Sequence, residues 1–482
     1  MVIIPEDAIE RRVAAEAAAR QRPDDPAAWI ALSQACQALA DQENTLAAAR
    51  RAVELAPDGA SPIRQLASSL FQTGPGLAEA QGLFERLLAL VPGDPVALHY
   101  LHYYAMFDRD YHRAIDLSER LDHDHPGDPG TSARIARAYK LMGNPVAASE
   151  HFARAAARCE NPHHPFPYGP LAALKPVFIA LAGDVAGSER LSRKLCQEFG
   201  LGLADLSNPR YPDDCAEAIV RLQARVAGRD LFVFGFGPSA AEVTARREDV
   251  ASLDFASMTL SNFPIIEDSI LRPIGKRMDL VCVSHLTVLK NQAPAIREWF
   301  FAVPNATLIV PVFLREYAAM TGGPDFLLDQ SDHLFWYDCF HELLPPSPVD
   351  PLHFPAINTL ISTLGVAMLA LPRRIFLFGF DGQIKGNDSQ RPESLYFNEH
   401  HEQYHTPWRK DLEARRFTQL WLWWDSLRFN EFAPVVLRHV ALLFDLPLPP
   451  IYNVCVDSAL DTFPRITFDR FCDIVASEGA QP

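Results

Sequence analysis

Residues 230–240 read Asp230-Leu231-Phe232-Val233-Phe234-Gly235-Phe236-Gly237-Pro238-Ser239-Ala240. Four apolar residues run into a loop holding two glycines, and Ala-rich text follows. A short apolar run closed by glycine reads as a buried strand. Gly235 and Gly237 permit a tight turn and a close backbone approach. Ser239 is placed to cap the next helix, whose first amides favour an anion. The loop departs from the G-x-G-x-x-G dinucleotide fingerprint: Ala240 stands at the third glycine, and no acidic residue ends the next strand. A tight strand-to-helix turn with no ligand is the competing reading.

Similar apolar runs recur at 258–260, 280–283, 307–312, 334–337, 375–378 and 452–456. Helical patterns alternate with them at 294–301, 357–371 and 411–446. This alternation predicts a doubly wound, mostly parallel, Rossmann-like α/β domain over residues 229–475. Ligands of such sheets bind beyond the carboxyl ends of the strands. The residues to inspect are therefore Asn262 within Ser261-Asn262-Phe263, then Ser284 and His285, and then Gly379-Phe380-Asp381-Gly382. Asn358, Thr359, Ser362 and Thr363 open the apolar helix. An Asn can bond a base or a sugar hydroxyl, and it is equally a turn former. Hydroxyls entering a helix also serve as caps.

Before residue 165 the text has a different period. Pro57, Pro92 and Pro126 are separated by 35 and 34 residues. Ala80, Ala114 and Ala148 each stand 34 apart, and Phe84 and Phe152 differ by twice that. Trp29 and Leu32 mark the first helix of one unit; Tyr139, Gly143, Ala148, Phe152 and Ala155 mark the last unit. A fixed period near 34 means stacked helix pairs, in which small residues let helices approach, aromatics fill gaps and prolines follow each second helix. The pattern resembles the tetratricopeptide repeat, with about four units over 25–160, although Leu98 and Ser132 stand where the repeat's tryptophan recurs. The expected organisation is a helical array at 1–165 for partner binding, a helical junction at 166–228, and the α/β domain.

Composition narrows the function. Lys plus Arg number 44 and Asp plus Glu 60, a net charge of −16, with no basic run. Such a surface repels a phosphate backbone, so no nucleic-acid partner is expected. The eight cysteines are scattered without a CxxC pair, which fits reduced thiols in a cytoplasmic protein. The first twelve residues lack an apolar signal core, and the most apolar window, 354–380, is broken by Asn358, Pro372, Arg373 and Arg374. No transmembrane segment is expected.

The order of these pieces carries a resemblance. An apolar strand, Gly235–Ser239, a strand ending at Asn262, Thr363–Val366 opening an Ala-rich helix, and Gly379–Asp381 follow one another. This order resembles the bacterial sialyltransferases of glycosyltransferase family 42 and the motility-associated-factor proteins that glycosylate flagellins. The likeness covers about residues 230–470. It implies a sialyltransferase-like domain that moves a nonulosonic acid from a cytidine-monophosphate-linked donor, with inversion and without metal or other cofactor. It implies a protein acceptor such as flagellin, captured by the repeats. Carried over, Gly235, Phe236, Gly237, Pro238, Ser239, Asn262, Ser284, Ser362, Thr363, Gly379 and Asp381 hold or border the donor nucleotide. Tyr396 stands where the family binds the leaving phosphate, and His405 is the implied base, with His400 and His401 as rivals. Donors aimed at the departing phosphate lower the barrier, and a histidine takes the acceptor hydroxyl's proton.

Phe236 replaces the family's asparagine, Gln383 its second tyrosine, and no arginine precedes Thr363. Two alternatives therefore stay open. One is a non-catalytic repeat scaffold with a degenerate transferase domain. The other is a magnesium- and ATP-dependent pterin pyrophosphokinase-like enzyme, from a related sequence family. His401-Glu402-Gln403-Tyr404-His405 also spells the zinc motif H-E-x-x-H. The five residues lack an apolar face and Pro407 follows, so a solvated loop over the pocket is expected and no metal site. Trp421, Trp423 and Trp424 read as helix core packing.

Overall fold

In a computed structural model, the described residues are 8–39, 41–73, 76–159, 175–198, 215–235, 237, 239–260, 263–283, 286–303, 306–311, 333–337, 359–381 and 412–478. The chain divides into two compact units. One holds Met1–Ser188 with Trp408–Leu420; the other holds Glu189–Pro407 with Trp421–Pro482.

The first unit is a tetratricopeptide-like array of helical hairpins. Its helices are α1 (Ala8–Gln21), α2 (Pro26–Ala38), α3 (Gln42–Leu55), α4 (Ala60–Thr73), α5 (Leu77–Leu90), α6 (Pro95–Phe107), α7 (Tyr111–Asp124), α8 (Pro129–Leu141) and α9 (Pro145–Arg158). Local chemistry sets where they start. Asp25-Pro26, Asp94-Pro95 and Asp128-Pro129 each place an aspartate at the cap and a proline at the first helical position. The aspartate accepts from the first free amides, and proline has no amide to leave unbonded. Asp41, Asp110 and Asn144 cap α3, α7 and α9 in the same way. Pro57, Pro92 and Pro126 follow the ends of α3, α5 and α7.

Inside each hairpin the close contact is made by small side chains. Ala80, Ala114 and Ala148 are buried, and Phe84 and Phe152 are buried beside them. Phe84 stacks on Tyr100 with ring centroids 4.8 Å apart. Ser33 Oγ donates to the Thr45 carbonyl at 2.9 Å. One repeat further but one, His102 Nδ1 lies 3.0 Å from the Ala114 carbonyl in the equivalent place. Two more helices follow, α10 (Lys175–Leu181) and α11 (Val185–Glu198), in the stretch expected to be a junction. α10 packs on α9, Ser149 Oγ donates to the Ala182 carbonyl at 2.6 Å, and Ser188 Oγ donates to that of Pro176 at 2.7 Å. The hairpin pattern therefore runs on past residue 165.

The second unit takes in α11 from Glu189, continues with α12 (Cys215–Val226) and is built on a sheet of seven strands. These are β1 (Asp230–Phe234), β2 (Phe255–Leu260), β3 (Leu280–Cys282), β4 (Thr307–Pro311), β5 (Leu334–Tyr337), β6 (Arg374–Phe378) and β7 (Ile451–Asn453). All neighbours pair in parallel, in the order β5-β4-β3-β2-β1-β6-β7. β1 to β6 are buried throughout, as unbroken apolar runs require when both faces are covered.

β1 and β6 each start one residue earlier than their apolar runs. The cause is an ion pair: Asp230 lies in register with Arg374 and is fully buried. Arg374 meets it through Nε and Nη2 at 2.9 and 2.7 Å, and Arg373 at 3.0 and 2.8 Å. The helix expected from Pro294 begins at Leu286 and carries Pro294 inside it, because proline is read locally as a helix start. The helices at Thr359–Leu369 and Leu412–Leu443 fall within their expected stretches. Among the described residues no helix is long and apolar enough to cross a membrane.

Candidate functional site

The strand order reverses beside β1. β2 lies on one side of it and β6 on the other, and both β1 and β6 end in glycine loops. Such a reversal opens the crevice where parallel sheets bind ligands. The two loops are interlocked at that point. Gly235 N donates to the Phe378 carbonyl at 2.7 Å, and Gly237 N to that of Gly379 at 2.8 Å. Gly379 adopts φ +74°, and a Cβ there would stand 2.5 Å from the Gly235 carbonyl oxygen. A Cβ on Gly237 would overlap the Asp381 carboxylate. These glycines serve loop-to-loop approach.

Asp381 is 3% exposed. Its two carboxylate oxygens lie 3.2 Å from Ser239 N, and Cys455 Sγ donates to Oδ1 at 2.9 Å. The Asp381 carbonyl accepts from Ala459 N at 2.7 Å. Ser239 does not cap the helix Ala240–Ala245 with its side chain. Its backbone is already helical, and its Oγ instead accepts from Gly379 N of the incoming β6 loop at 3.1 Å. The amides of Gly235, Gly237, Ser239 and Gly379 thus all donate within the protein.

Sequence inspection missed the residues after β7. It extended that strand to 456, so the turn behind it escaped notice. Asn453 Nδ2 donates to the Phe380 carbonyl at 3.1 Å and to Ser458 Oγ at 2.9 Å. Ser458 Oγ donates to the Phe380 carbonyl at 2.8 Å and accepts from Leu460 N at 2.9 Å. The only sequence signal was a cluster of Asn, Cys, Asp and Ser after an apolar run. The Cys455 thiol is pushed up to about 12, first by burial and then by the Asp381 charge. It is a proton donor to that carboxylate and a poor nucleophile at neutral pH.

Ser362 and Thr363 lie in the helix Thr359–Leu369, both buried. Thr363 Oγ1 donates back to the Thr359 carbonyl at 2.7 Å. Burial pushes Cys282, at the end of β3, up to about 11, and Thr363 bonds to it. The structure therefore brings Gly235, Gly237, Ser239, Gly379 and Asp381 together beyond the carboxyl ends of β1 and β6. Phe236, Pro238, Asn262, Ser284, Tyr396, His400, His401 and His405 lie outside the described residues. Among the described residues no group of three His, Cys, Asp or Glu could hold a metal ion.

No protein-family model matches the sequence, and no curated protein matches it. Solved structures similar to part of the chain include PilW, a type IV pilus biogenesis factor, at 18% identity and a TM-score of 0.35, covering 41% of this chain and 89% of PilW. MamA from Desulfovibrio magneticus RS-1 is 16% identical at a TM-score of 0.29, over 35% of this chain and 92% of its own. PilF of Pseudomonas aeruginosa is 16% identical at 0.29, over 42% and 93%. Likenesses this low carry nothing about function, and the fold rests on the geometry above.

Proposed function

We propose that the helical array recognises a protein and that the α/β unit glycosylates it, drawing a nonulosonic-acid-like sugar from a cytidine nucleotide. The observation that supports this reading is the strand reversal at β1, where the two glycine loops of the motif series meet although 142 residues separate Ser239 from Asp381. In this reading His405 takes the proton of an acceptor hydroxyl, Tyr396 binds the leaving phosphate, and flagellin is the kind of acceptor the array holds. Calorimetric titration with CMP, CDP, UDP, GDP and ATP, with and without magnesium, tests it. Metal-independent binding selective for CMP and lost in Asn262→Ala is expected. Transfer to flagellin should fall about 10²–10⁴-fold in His405→Ala. ATP binding that needs magnesium would point to pyrophosphokinase chemistry instead.

A second reading is a protein-binding scaffold whose α/β unit takes no nucleotide. The internal use of the Gly235, Gly237, Ser239 and Gly379 amides favours it. Silence with every nucleotide, together with retained flagellin binding, would establish it.

A further inference from the structure

The first helices of successive hairpins begin at Pro26, Ala60, Pro95 and Pro129, and the second helices at Gln42, Leu77, Tyr111 and Pro145, at intervals of 34 or 35 residues. Equivalent positions can therefore be compared. At one buried place on the first helix the chain carries Ser33, Ala67, His102 and Ala136. At a buried place on the second helix it carries Ala49, Phe84, Ser118 and Phe152. In α4–α5 and α8–α9 the first helix is small there and the second supplies a phenylalanine. The α6–α7 hairpin reverses this: the bulk is on the first helix, and it is an imidazole. His102 Nδ1 lies 2.9 Å from Ser118 Oγ and 3.0 Å from the Ala114 carbonyl, so the exchanged pair is in direct contact.

The exchange carries a cost that phenylalanine avoids. His102 is fully buried, and its Nε2 has no partner among the described residues. A buried polar atom without a partner loses the hydrogen bond that water would give it. The charged groups acting on the ring are Arg134 and Arg137 of α8, themselves buried. His99 stands one turn earlier on α6, and Asp128, which acts on His99, is bonded to Thr131 and Arg134 at the start of α8. From α7 the ring meets only the neutral Ser118 and a carbonyl, and α5 meets α6 through its Leu77 carbonyl, which accepts from Tyr104 Oη at 2.8 Å. No carboxylate among the described residues pairs with His102. A proton on it would place a cation in a closed space beside two others. Burial, and then the Arg134 charge, keep the ring neutral down to about 3.

We propose that the α6–α7 hairpin is an acid-sensitive joint, which is closed at neutral pH and opens locally in mild acid while the hairpins before it stay folded. Opening hands His102 to water, where it takes a proton, and the proton holds the hairpin open. The damage stays local because each hairpin of such an array is held only by its neighbours. The hairpins α2–α3 and α4–α5 have Ser33 and Ala67 at the same place and contain no histidine, so they lack the trigger. Acid would thus interrupt the array in its middle and release a partner that spans α6. That last consequence rests on the reading of the array as a protein-binding surface; the joint itself does not, and it is independent of the nucleotide chemistry.

The test is hydrogen exchange of the full chain at pH 7 and pH 4.5, read by mass spectrometry, with each rate divided by that of the unstructured peptide at the same pH. Amides of α6 and α7 should exchange at least about 50-fold faster at pH 4.5, the ratio expected of one ring held to about 3 when folded and free to titrate normally when open. Amides of α2 to α5 should change by less than about threefold. Unchanged protection of α6 and α7, or an equal loss in α2 to α5, overturns the joint. His102→Ala combined with Ser118→Phe restores the arrangement of α4–α5 and should cut the acceleration by about tenfold or more. His102→Gln, which cannot titrate in this range and can still donate to the Ala114 carbonyl, should do the same and serves if the double variant fails to fold at pH 7. A folded variant that keeps the full acceleration overturns His102 as the trigger.

Discussion

In the helical array, buried polar groups find partners close along the chain: Ser33 reaches Thr45 and His102 reaches Ala114, each 12 residues away. In the sheet unit, Asp230 meets Arg373 and Arg374 after 143 and 144 residues, and Ser239 meets Asp381 after 142. An array built from neighbours gains stability repeat by repeat, so local damage stays local. A parallel sheet must close long loops before any of its polar pairs form, so each pair ties distant segments into one cooperative unit.

The largest break in that contrast should come from Asp230→Ala. It leaves the buried Arg374 guanidinium without its carboxylate at the start of two inner strands, a loss of about 3–5 kcal/mol. Hydrogen exchange should show β1 and β6 amides losing protection while those of α2 to α9 keep theirs; equal loss in both units would end the comparison. Burial alone would raise the Asp230 carboxyl, but its hydrogen bonds to Arg374 and Arg373 outweigh this and hold it below the usual range. The pair therefore stabilises above that range, and the stability goes as pH falls through the lowered value.

Acid should act on the array through His102. Burial, with the Arg134 charge adding to it, lowers this histidine to about 3. His99 is also lowered well below its ordinary value, by burial and then by the Arg134 charge, so it adds to the acid sensitivity; Arg137 and Asp128 are the other charged groups nearby. Below its ordinary value the unfolded chain takes a proton that the folded one refuses. Stability present at neutral pH is then lost as pH falls, by about 3 kcal/mol at pH 4. His102→Ser, which copies Ser33, should reduce that slope in denaturation series at pH 7, 5.5 and 4, with His99 keeping the remainder. An unchanged slope would assign the acid sensitivity to another group.

Gly237→Ala tests the interlocked loops, since its methyl would overlap Asp381. A cost of about 1–3 kcal/mol in the sheet unit is expected by chemical denaturation. The smallest effects sharpen the locality of the array. Asp25→Ala removes a cap for about 1 kcal/mol, and Arg50→Ala breaks an exposed pair for about 0.5 kcal/mol. Exchange in α6 to α9 should not register either change.

Much of the array is legible in the text because its signals are local. Asp-Pro starts, prolines beyond the ends and alanines every 34 residues act within one hairpin. After 165 the text also reads as helical, and helices stand at Lys175–Leu181, Val185–Glu198 and Cys215–Val226, although their starts lack that signature. In the sheet unit the apolar runs were legible as strands, but the end of β7 was not, since Asn453 leaves the ladder to bond Phe380 and Ser458. Of the crevice, the glycine loops and Asp381 could be named from sequence. The Cys455 and Asn453 contacts could not, because their partners are more than 70 residues away in the chain. The histidines and Tyr396 of the proposed chemistry lie outside the described residues.

The sequence by itself determined the repeat period, the helix starts, the run of buried strands and the charge that opposes nucleic acid. Each of these follows from residues within a few turns of one another, or from a sum over the chain. Only the tertiary structure decided that β1 lies between β2 and β6, that Asp381 fills the space left by Gly237, and that Asp230 meets Arg373 and Arg374. Those outcomes depend on which distant side chains arrive at one place, and on the cost of burying a charge or a carbonyl without a partner.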